Sequence, residues 1–254
     1  MAIINIRQEL ILEELNQKGY VNVVEMCEAH KVSSVTIRKD LSFLENKNLL
    51  HRTHGGASKQ PIYAFERNVS DKELLQVEQK KLIAKAALDY IKENDYIIMG
   101  SGTTIHNLSK MMGGFQKLTV LTPSLKVSLE LCKHSEIDTI QLGGDIRKAS
   151  TSVVGAIAEG ILSQFSCNKL FIGTDGLHLE FGLSTSNAME AHLNQAMIDV
   201  AEKVIVLADS TKMNVRGFGK ICNVEKIDVL ITDSGIDIET KTKLEDLGLN
   251  VVVV

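Results

Sequence analysis

Val32-Ser33-Ser34-Val35-Thr36-Ile37-Arg38-Lys39-Asp40-Leu41-Ser42-Phe43-Leu44-Glu45 is the stretch that decides the fold. Ser33 suits an N-cap, because its hydroxyl can accept from an unpaired N–H of the first turn, so a helix begins at about Ser34. Ile37, Leu41 and Leu44 follow i, i+4, i+7 and form an inward stripe. The opposite side then carries Val35, Lys39 and Ser42, flanked by Thr36 and Arg38. Guanidinium, ammonium, hydroxyls and one methyl-bearing side chain suit the edges of bases and the phosphates of a major groove. On this helix alone, a solvated and mildly basic face reads equally well.

The neighbouring residues decide between the two. His51, Arg52 and His54 precede Gly55-Gly56, a pair able to take the positive φ angles of a tight hairpin, and a cationic hairpin beside such a helix makes a wing. Upstream, Ile4, Ile11 and Leu15 mark a first helix stopped at Gly19. Val24 to His30 give a short second helix before a turn at Lys31-Val32. That order is a winged helix-turn-helix. The residues expected on DNA are Ser34, Val35, Thr36, Arg38, Lys39, Ser42, Arg52 and His54.

The ordered run Arg7, Leu15, Gly19, Val21, Val23, Val32-Ser33, Thr36-Ile37-Arg38, Asp40-Leu41, Leu44-Glu45, Leu50, Arg52 and His54-Gly55-Gly56-Ala57 resembles the DNA-binding signature of DeoR-type repressors of sugar metabolism. Asn48 departs from it, standing where that family usually has glycine. Asparagine also tolerates the left-handed conformation.

The chain has 254 residues, 44% hydrophobic and 24% charged, an ordinary globular composition that can bury a sizeable core. No apolar run approaches a membrane span, and Arg7 and Glu9 interrupt any signal-peptide core, so a cytoplasmic protein is expected. Cys27, Cys132, Cys167 and Cys222 are too scattered for zinc or a disulfide framework and read as buried small hydrophobes. No metal and no cofactor are expected.

The net charge of −4 argues against nucleic acid at first sight, but its distribution does not. Residues 1–33 carry −2, whereas in residues 34–59 Arg38, Lys39, Lys47, Arg52 and Lys59 against Asp40 and Glu45 leave +3. Positive charge gathers where a duplex would lie. A charge of +3 per monomer is modest, so a homodimer or tetramer spanning paired half-sites of operator DNA is expected.

Domain boundaries follow from periodicity: a winged helix-turn-helix over 1–57, a linker over 58–72 with Phe65 and Arg67 as docking points, and an α/β domain over 73–254. Helical spacing runs from Lys72 to Lys92 through Leu75, Leu82, Ile83, Ala86, Ala87 and Ile91. Beyond it, apolar strands at Tyr96–Met99, Leu118–Leu121, Thr139–Leu142, Leu170–Ile172, Val204–Ala208, Val229–Ile231 and Val251–Val254 alternate with helices. The helices fall at Ile105–Met112, Leu125–Cys132, Ala156–Phe165, Ala188–Ala201 and Glu239–Leu247. This pattern predicts a doubly wound, mainly parallel sheet with ligands beyond the carboxyl ends of its strands.

Small, hydroxylic and charged residues appear at every such exit. Gly100-Ser101-Gly102-Thr103-Thr104 offers bare backbone N–H groups and hydroxyls to a phosphate. Gly143-Gly144 with Arg147, Thr174-Asp175, Ser184 with Glu190, and Asp209 to Lys212 follow at the other exits. No Gly-x-Gly-x-x-Gly fingerprint or Walker lysine is present. The expected effector is therefore a monophosphate with hydroxyls, a sugar phosphate. Arg147 or Lys212 would be its countercharge, and Asp175 and Glu190 would accept from its hydroxyls.

The runs Ser101-Gly102-Thr103-Thr104, Leu142-Gly143-Gly144 with Arg147, Phe171 to Gly176, Gly182 to Thr185 with Glu190, and Ala208-Asp209-Ser210 with Lys212 also resemble the effector domain of DeoR-type regulators. That resemblance implies a fold similar to ribose-phosphate isomerases. In it the Ser101–Thr104 loop, Asp175, Glu190 and Lys212 fall near the isomerase phosphate and acid-base positions. Pro123 and Met213 stand where asparagine and phenylalanine are usual.

The leading expectation is a DNA-binding regulator, a repressor of a sugar-catabolism operon controlled by a phosphorylated sugar. The alternatives are a sugar-phosphate isomerase-like enzyme with an accessory helix-turn-helix domain, in which Glu190 is a base beside Lys212, and a helix-turn-helix used only for protein contact. Against catalysis, the lysine-bearing glycine loop of isomerases is here Leu183-Ser184-Thr185-Ser186-Asn187.

Overall fold

The structure, a computed structural model, describes residues 4–18, 20–47, 49–53, 55–58 and 68–254. Gly19, Asn48, His54 and the linker positions Pro61, Phe65 and Arg67 lie outside the described residues. The chain divides into two compact units, residues 1–65 and 66–254.

In the first unit the order is α1 (Ile6–Lys18), β1 (Tyr20–Asn22), α2 (Val23–His30), α3 (Ser34–Glu45), β2 (His51–Thr53) and β3 (Gly56–Ser58). Side-chain caps start the helices: Asn22 accepts from Val24 N–H on α2 and Ser33 from Thr36 N–H on α3. Lys31, at φ 51°, closes α2 by donating its N–H to the Cys27 carbonyl. Ile11, Leu15, Met26, Ile37, Leu41, Leu44 and Leu50 pack into one core. The three strands form an antiparallel sheet in the order β1-β3-β2. Thr53 pairs with Gly56, so Gly56 belongs to the returning strand. The expected Gly55-Gly56 turn therefore does not include Gly56.

In the second unit the single helical stretch expected from Lys72 to Lys92 is two helices, α4 (Val69–Glu73) and α5 (Val77–Ala87), followed by a 3-10 turn at Leu88–Tyr90. The break falls at Gln76, at φ 50°. It leaves Leu75 and Leu82 exposed, and the buried stripe is Lys80, Ile83, Ala84 and Ala87 instead. Residues 68–72, expected as linker, belong to this unit: Val69 N–H donates to the Ala149 carbonyl.

The chain continues through β4 (Tyr96–Met99), α6 (Thr103–Ser109), β5 (Leu118–Thr122), α7 (Leu125–Leu131), β6 (Ile137–Gln141), β7 (Asp145–Arg147), β8 (Ser152–Val154) and α8 (Ala156–Leu162). It ends with β9 (Cys167–Ile172), β10 (Gly176–His178), β11 (Gly182–Thr185), α9 (Ala188–Asp199), β12 (Ala201–Leu207), β13 (Gly219–Cys222), β14 (Val229–Thr232), α10 (Ile238–Asp246) and β15 (Asn250–Val253).

Seven strands form a parallel sheet in the order β15-β14-β12-β9-β4-β5-β6. Alternate residues of each central strand feed two cores. Ile97, Met99, Phe171, Ile205 and Leu207 pack with α5, α6 and α7, and Ile98, Leu170, Ile172, Val204 and Val206 pack with α8, α9 and α10. Burial on both faces explains why these strands read as continuous apolar runs. All seven expected strands are present, with β6 starting at Ile137, two residues before its expected start.

Two pieces of sheet were not anticipated: the β7–β8 hairpin and an antiparallel sheet in the order β10-β11-β13. Strands of three or four residues with glycines inside carry too little period to be recognised. Because β4 and β9 are adjacent and the chain winds outward from them in both directions, their carboxyl ends flank the topological switch point.

Candidate functional site

The outer face of α3 is a shallow groove lined by Val35, Arg38, Lys39, Ser42, Phe43 and Asn46. Ser34, Val35, Arg38 and Lys39 are exposed, while Thr36 and Ser42 are half-buried. Thr36 Oγ1 is 3.0 Å from Ser33 Oγ and completes the cap. The helix is set in place from behind by Asp40, which accepts from Arg7 Nε at 2.5 Å and from Gln8 Nε2 at 2.9 Å. Burial pushes the Asp40 carboxyl up, but the hydrogen bonds from Arg7 and Gln8 outweigh it and hold the group below the usual carboxylate range.

Arg52, expected on DNA, is turned toward α3. Its Nη1 donates to Ser42 Oγ at 2.7 Å, and Ser42 Oγ in turn donates to the Arg38 carbonyl at 2.8 Å. Its backbone N–H donates to Glu45 Oε1 at 3.0 Å. Arg52 and Ser42 are therefore committed to each other.

At the switch point, Gly100-Ser101-Gly102 leads from β4 into α6. Gly102 has φ 121°, and a Cβ there would meet nothing within 4 Å, so glycine is needed for backbone conformation and not for packing. The first turn of α6 has no side-chain cap. Ser101 and Gly102 are half-buried, and Thr103 and Thr104 are buried. A Cβ on Gly173 would lie 3.4 Å from the Ser101 carbonyl oxygen, so the loops after β4 and β9 touch across the switch. Gly144 answers both needs, with φ 146° and a Cβ that would come within 2.8 Å of the Val154 carbonyl oxygen.

Asp175 is the hub of the next loop. Its Oδ1 accepts from Lys72 Nζ at 2.6 Å, and its Oδ2 accepts from Thr185 Oγ1, Ser186 N–H and Ser186 Oγ at 2.9–3.1 Å. Burial alone would raise its pKa, but the Lys72 and Lys212 charges and the hydrogen bonds from Lys72 and Ser186 hold it far below the usual carboxylate range. Glu190 is likewise occupied, facing Arg147 Nη1 at 2.9 Å and Thr185 Oγ1 at 3.3 Å. Ser184 departs from expectation. Fully buried, it donates to the Gly176 carbonyl and accepts from Gly217 N–H, so its hydroxyl holds the small sheet together instead of facing a ligand.

Lys72 and Lys80 are the site residues that sequence reasoning missed. Lys80 is buried, and its Nζ donates to the carbonyls of Lys72 and Leu75 at 2.6 and 2.7 Å, closing the end of α4. Burial lowers Lys80 to about 8, Asp209 opposing and Lys212 and Lys72 adding to the shift. A lysine opening the stripe Lys80, Ile83, Ala84, Ala87 was the available signal. Glu73 pairs with Lys126 Nζ at 2.6 Å and fixes α4 from its other side. Of the cysteines, Cys167 is buried as expected, but Cys132 is exposed.

A helix-turn-helix with a basic outer face, followed by a doubly wound sheet whose switch point gathers lysines around two carboxylates, defines a ligand-sensing transcription regulator. The chain belongs to the DeoR family: residues 7–60 match the DeoR-like helix-turn-helix domain and residues 75–234 the DeoR C terminal sensor domain. It is a DNA-binding transcriptional regulator and not an enzyme.

A protein of Escherichia coli O157:H7 provisionally named an aga operon transcriptional repressor is 36% identical, covering 98% of this chain and 93% of the relative. The HTH-type transcriptional regulator YulB of Bacillus subtilis is 36% identical, over 98% and 96%. The lactose phosphotransferase system repressor of Staphylococcus epidermidis is 32% identical, over 94% and 95%. Among solved structures, ribose 5 phosphate isomerase A from Neisseria gonorrhoeae aligns at a TM-score of 0.42 and 19% identity, over 56% of this chain and 55% of that one. Among the described residues, no helix is long and apolar enough to cross a membrane.

Proposed function

We propose that this chain represses a sugar-utilisation operon in the cytoplasm, and that a phosphorylated sugar bound at the carboxyl ends of β4 and β9 changes its affinity for operator DNA. The observation that carries this reading is the Lys72 Nζ–Asp175 Oδ1 pair at 2.6 Å on the loop after β9, with Lys80 Nζ on the Lys72 carbonyl, while the turn at Gly102 after the adjacent β4 has no side-chain cap. A phosphate suits the lysines and the bare N–H groups, and hydroxyls suit the carboxylates. Ser101 to Thr104, Lys72, Lys80, Asp175, Asp209 and Lys212 make up the proposed subsite. Gly144, Arg147 and Glu190 frame it. One relative is named a repressor of the lactose phosphotransferase system and another, provisionally, of the aga operon, which supports the same reading.

A ligand phosphate that draws Lys72 from Asp175 loosens α4, the first helix after residues 59–67. A ligand acts only through a difference in affinity between two states, so this exchange is the step that must differ between them. A homodimer or tetramer then presents paired α3 helices to half-sites, with Ser34, Val35, Thr36, Arg38 and Lys39 toward the bases.

The test is a thermal-shift screen against phosphorylated and unphosphorylated sugars, followed by mobility shifts with the hit. A ligand at 100 times its dissociation constant stabilises its unit by about 2.7 kcal/mol. Stabilisation by unphosphorylated sugars alone, or a hit that leaves DNA affinity unchanged, would overturn the reading.

A further inference from the structure

Three residues join the wing to the helix it flanks. Arg52, on β2, donates its backbone N–H to Glu45 Oε1 at 3.0 Å, and its Nη1 lies 3.8 Å from Glu45 Oε2. The same Nη1 donates to Ser42 Oγ at 2.7 Å, and Ser42 returns its proton to the Arg38 carbonyl. Glu45 ends α3 and Ser42 sits one turn earlier, so the cluster spans the carboxyl half of the helix. Glu45 and Arg52 side chains are each 35% exposed. Glu45 thus puts a carboxylate at the end of the helix that carries the basic groove, where its charge alone would repel DNA.

We infer that Glu45, Arg52 and Ser42 form a positioning latch that sets the wing against the recognition helix and thereby determines operator specificity, with Arg52 acting through α3 and not as a phosphate contact. The physical argument is one of commitment. A guanidinium that donates to a neutral hydroxyl and faces a carboxylate has its charge partly countered, and a serine that both donates and accepts within the protein has little left to offer a base edge. What the cluster fixes is geometry: it ties the residue opposite Ala57 in the hairpin to the last two turns of the helix bearing Arg38 and Lys39. The inference rests on α3 being the DNA-facing helix.

The experiment uses the full-length chain. A random duplex pool is selected with the wild-type protein, and the selected duplex and a scrambled one are then titrated across a salt series. A wild type that enriches nothing overturns the DNA-facing reading of α3 and the latch with it. If the pool is enriched, Glu45→Ala distinguishes the cases by sign. As a bystander acid, Glu45 removed would tighten binding to both duplexes. As part of the latch, its loss lowers the preference for the selected duplex about tenfold, with the salt slope unchanged.

Glu45→Gln restores part of that preference, because its amide oxygen still accepts the Arg52 N–H. Arg52→Ala combined with Glu45→Ala costs no more than either alone, as expected when both act through one contact. Arg52→Lys separates the alternatives again, since a phosphate contact keeps its charge and the latch loses its fork. Tighter binding to both duplexes by Glu45→Ala, or an Arg52→Ala loss shared equally between duplexes with the slope reduced by about one, overturns the latch.

Discussion

Lys72 Nζ stands 2.6 Å from Asp175 Oδ1 and joins α4 to the loop that follows β9, across 103 residues of sequence. The pair places a cation from the entrance of the second unit onto a carboxylate at the topological switch. Its partners are both mostly buried, at 26% and 11% side-chain exposure, so neither is readily replaced by water.

Lys72→Met should lower the stability of the second unit by roughly 1–3 kcal/mol, the cost of leaving a buried charged acceptor short of a partner. Asp175 is held below its ordinary range, so the pair stabilises the fold above the unfolded-state value near 3.8 and is lost as pH falls toward the folded value. The difference in melting temperature between wild type and variant should therefore narrow below about pH 4. Calorimetry at pH 7 and pH 3 checks this, and an unchanged difference would show that the pair carries no charge-dependent stability.

Lys80 makes the opposite prediction in the alkaline range. Its folded value of about 8 lies below the ordinary 10.5, so the unfolded chain binds more protons between those limits and stability should rise with pH across them. Lys80→Met should remove that rise, visible as a flatter melting-temperature profile from pH 8 to 10 than in the wild type. Affinity for a phosphorylated sugar should fall over the same window in the wild type, because the ammonium that would face the anion is being lost. Isothermal titration across the series measures it.

In the first unit, Asp40→Asn should cost about 2–4 kcal/mol, since Arg7 and Gln8 converge on a carboxylate only 4% exposed. The wild-type contribution is present above the unfolded carboxylate value and is lost as pH falls below about 4. Amide hydrogen exchange in α3 reports it directly. Protection that is equal in wild type and variant at pH 7 would remove Asp40 from the account of how α3 is held.

Gly102→Ala isolates backbone from packing. With φ at 121° and open space around a new Cβ, the strain of an alanine there should cost about 1–3 kcal/mol and displace the first turn of α6. The expected result is loss of the sugar-phosphate thermal shift with ligand-free DNA binding intact. A normal thermal shift would mean that the phosphate is held away from this loop.

Much of this molecule was legible before any coordinates. The stripe Ile37, Leu41, Leu44, the Ser33 cap and the seven apolar strands are short-range patterns, and a 3.6-residue repeat or an unbroken apolar run is a property of neighbouring side chains. The small strands β7, β8, β10, β11 and β13 were not legible, being only three or four residues long, and β13 is placed by a partner, β11, distant in sequence.

What the linear chain settled by itself was therefore the kind of each long element, the order of helix, turn and wing, and the gathering of glycines and hydroxyls at strand exits. Periodicity and capping act over a few residues and need no distant partner. Only the folded arrangement decided that Lys72 faces Asp175, that Arg147 faces Glu190, that Lys80 closes α4, and that Arg52 turns back to Ser42 and Glu45. Charges choose partners by distance, and the order of strands and the register of the hairpin set those distances.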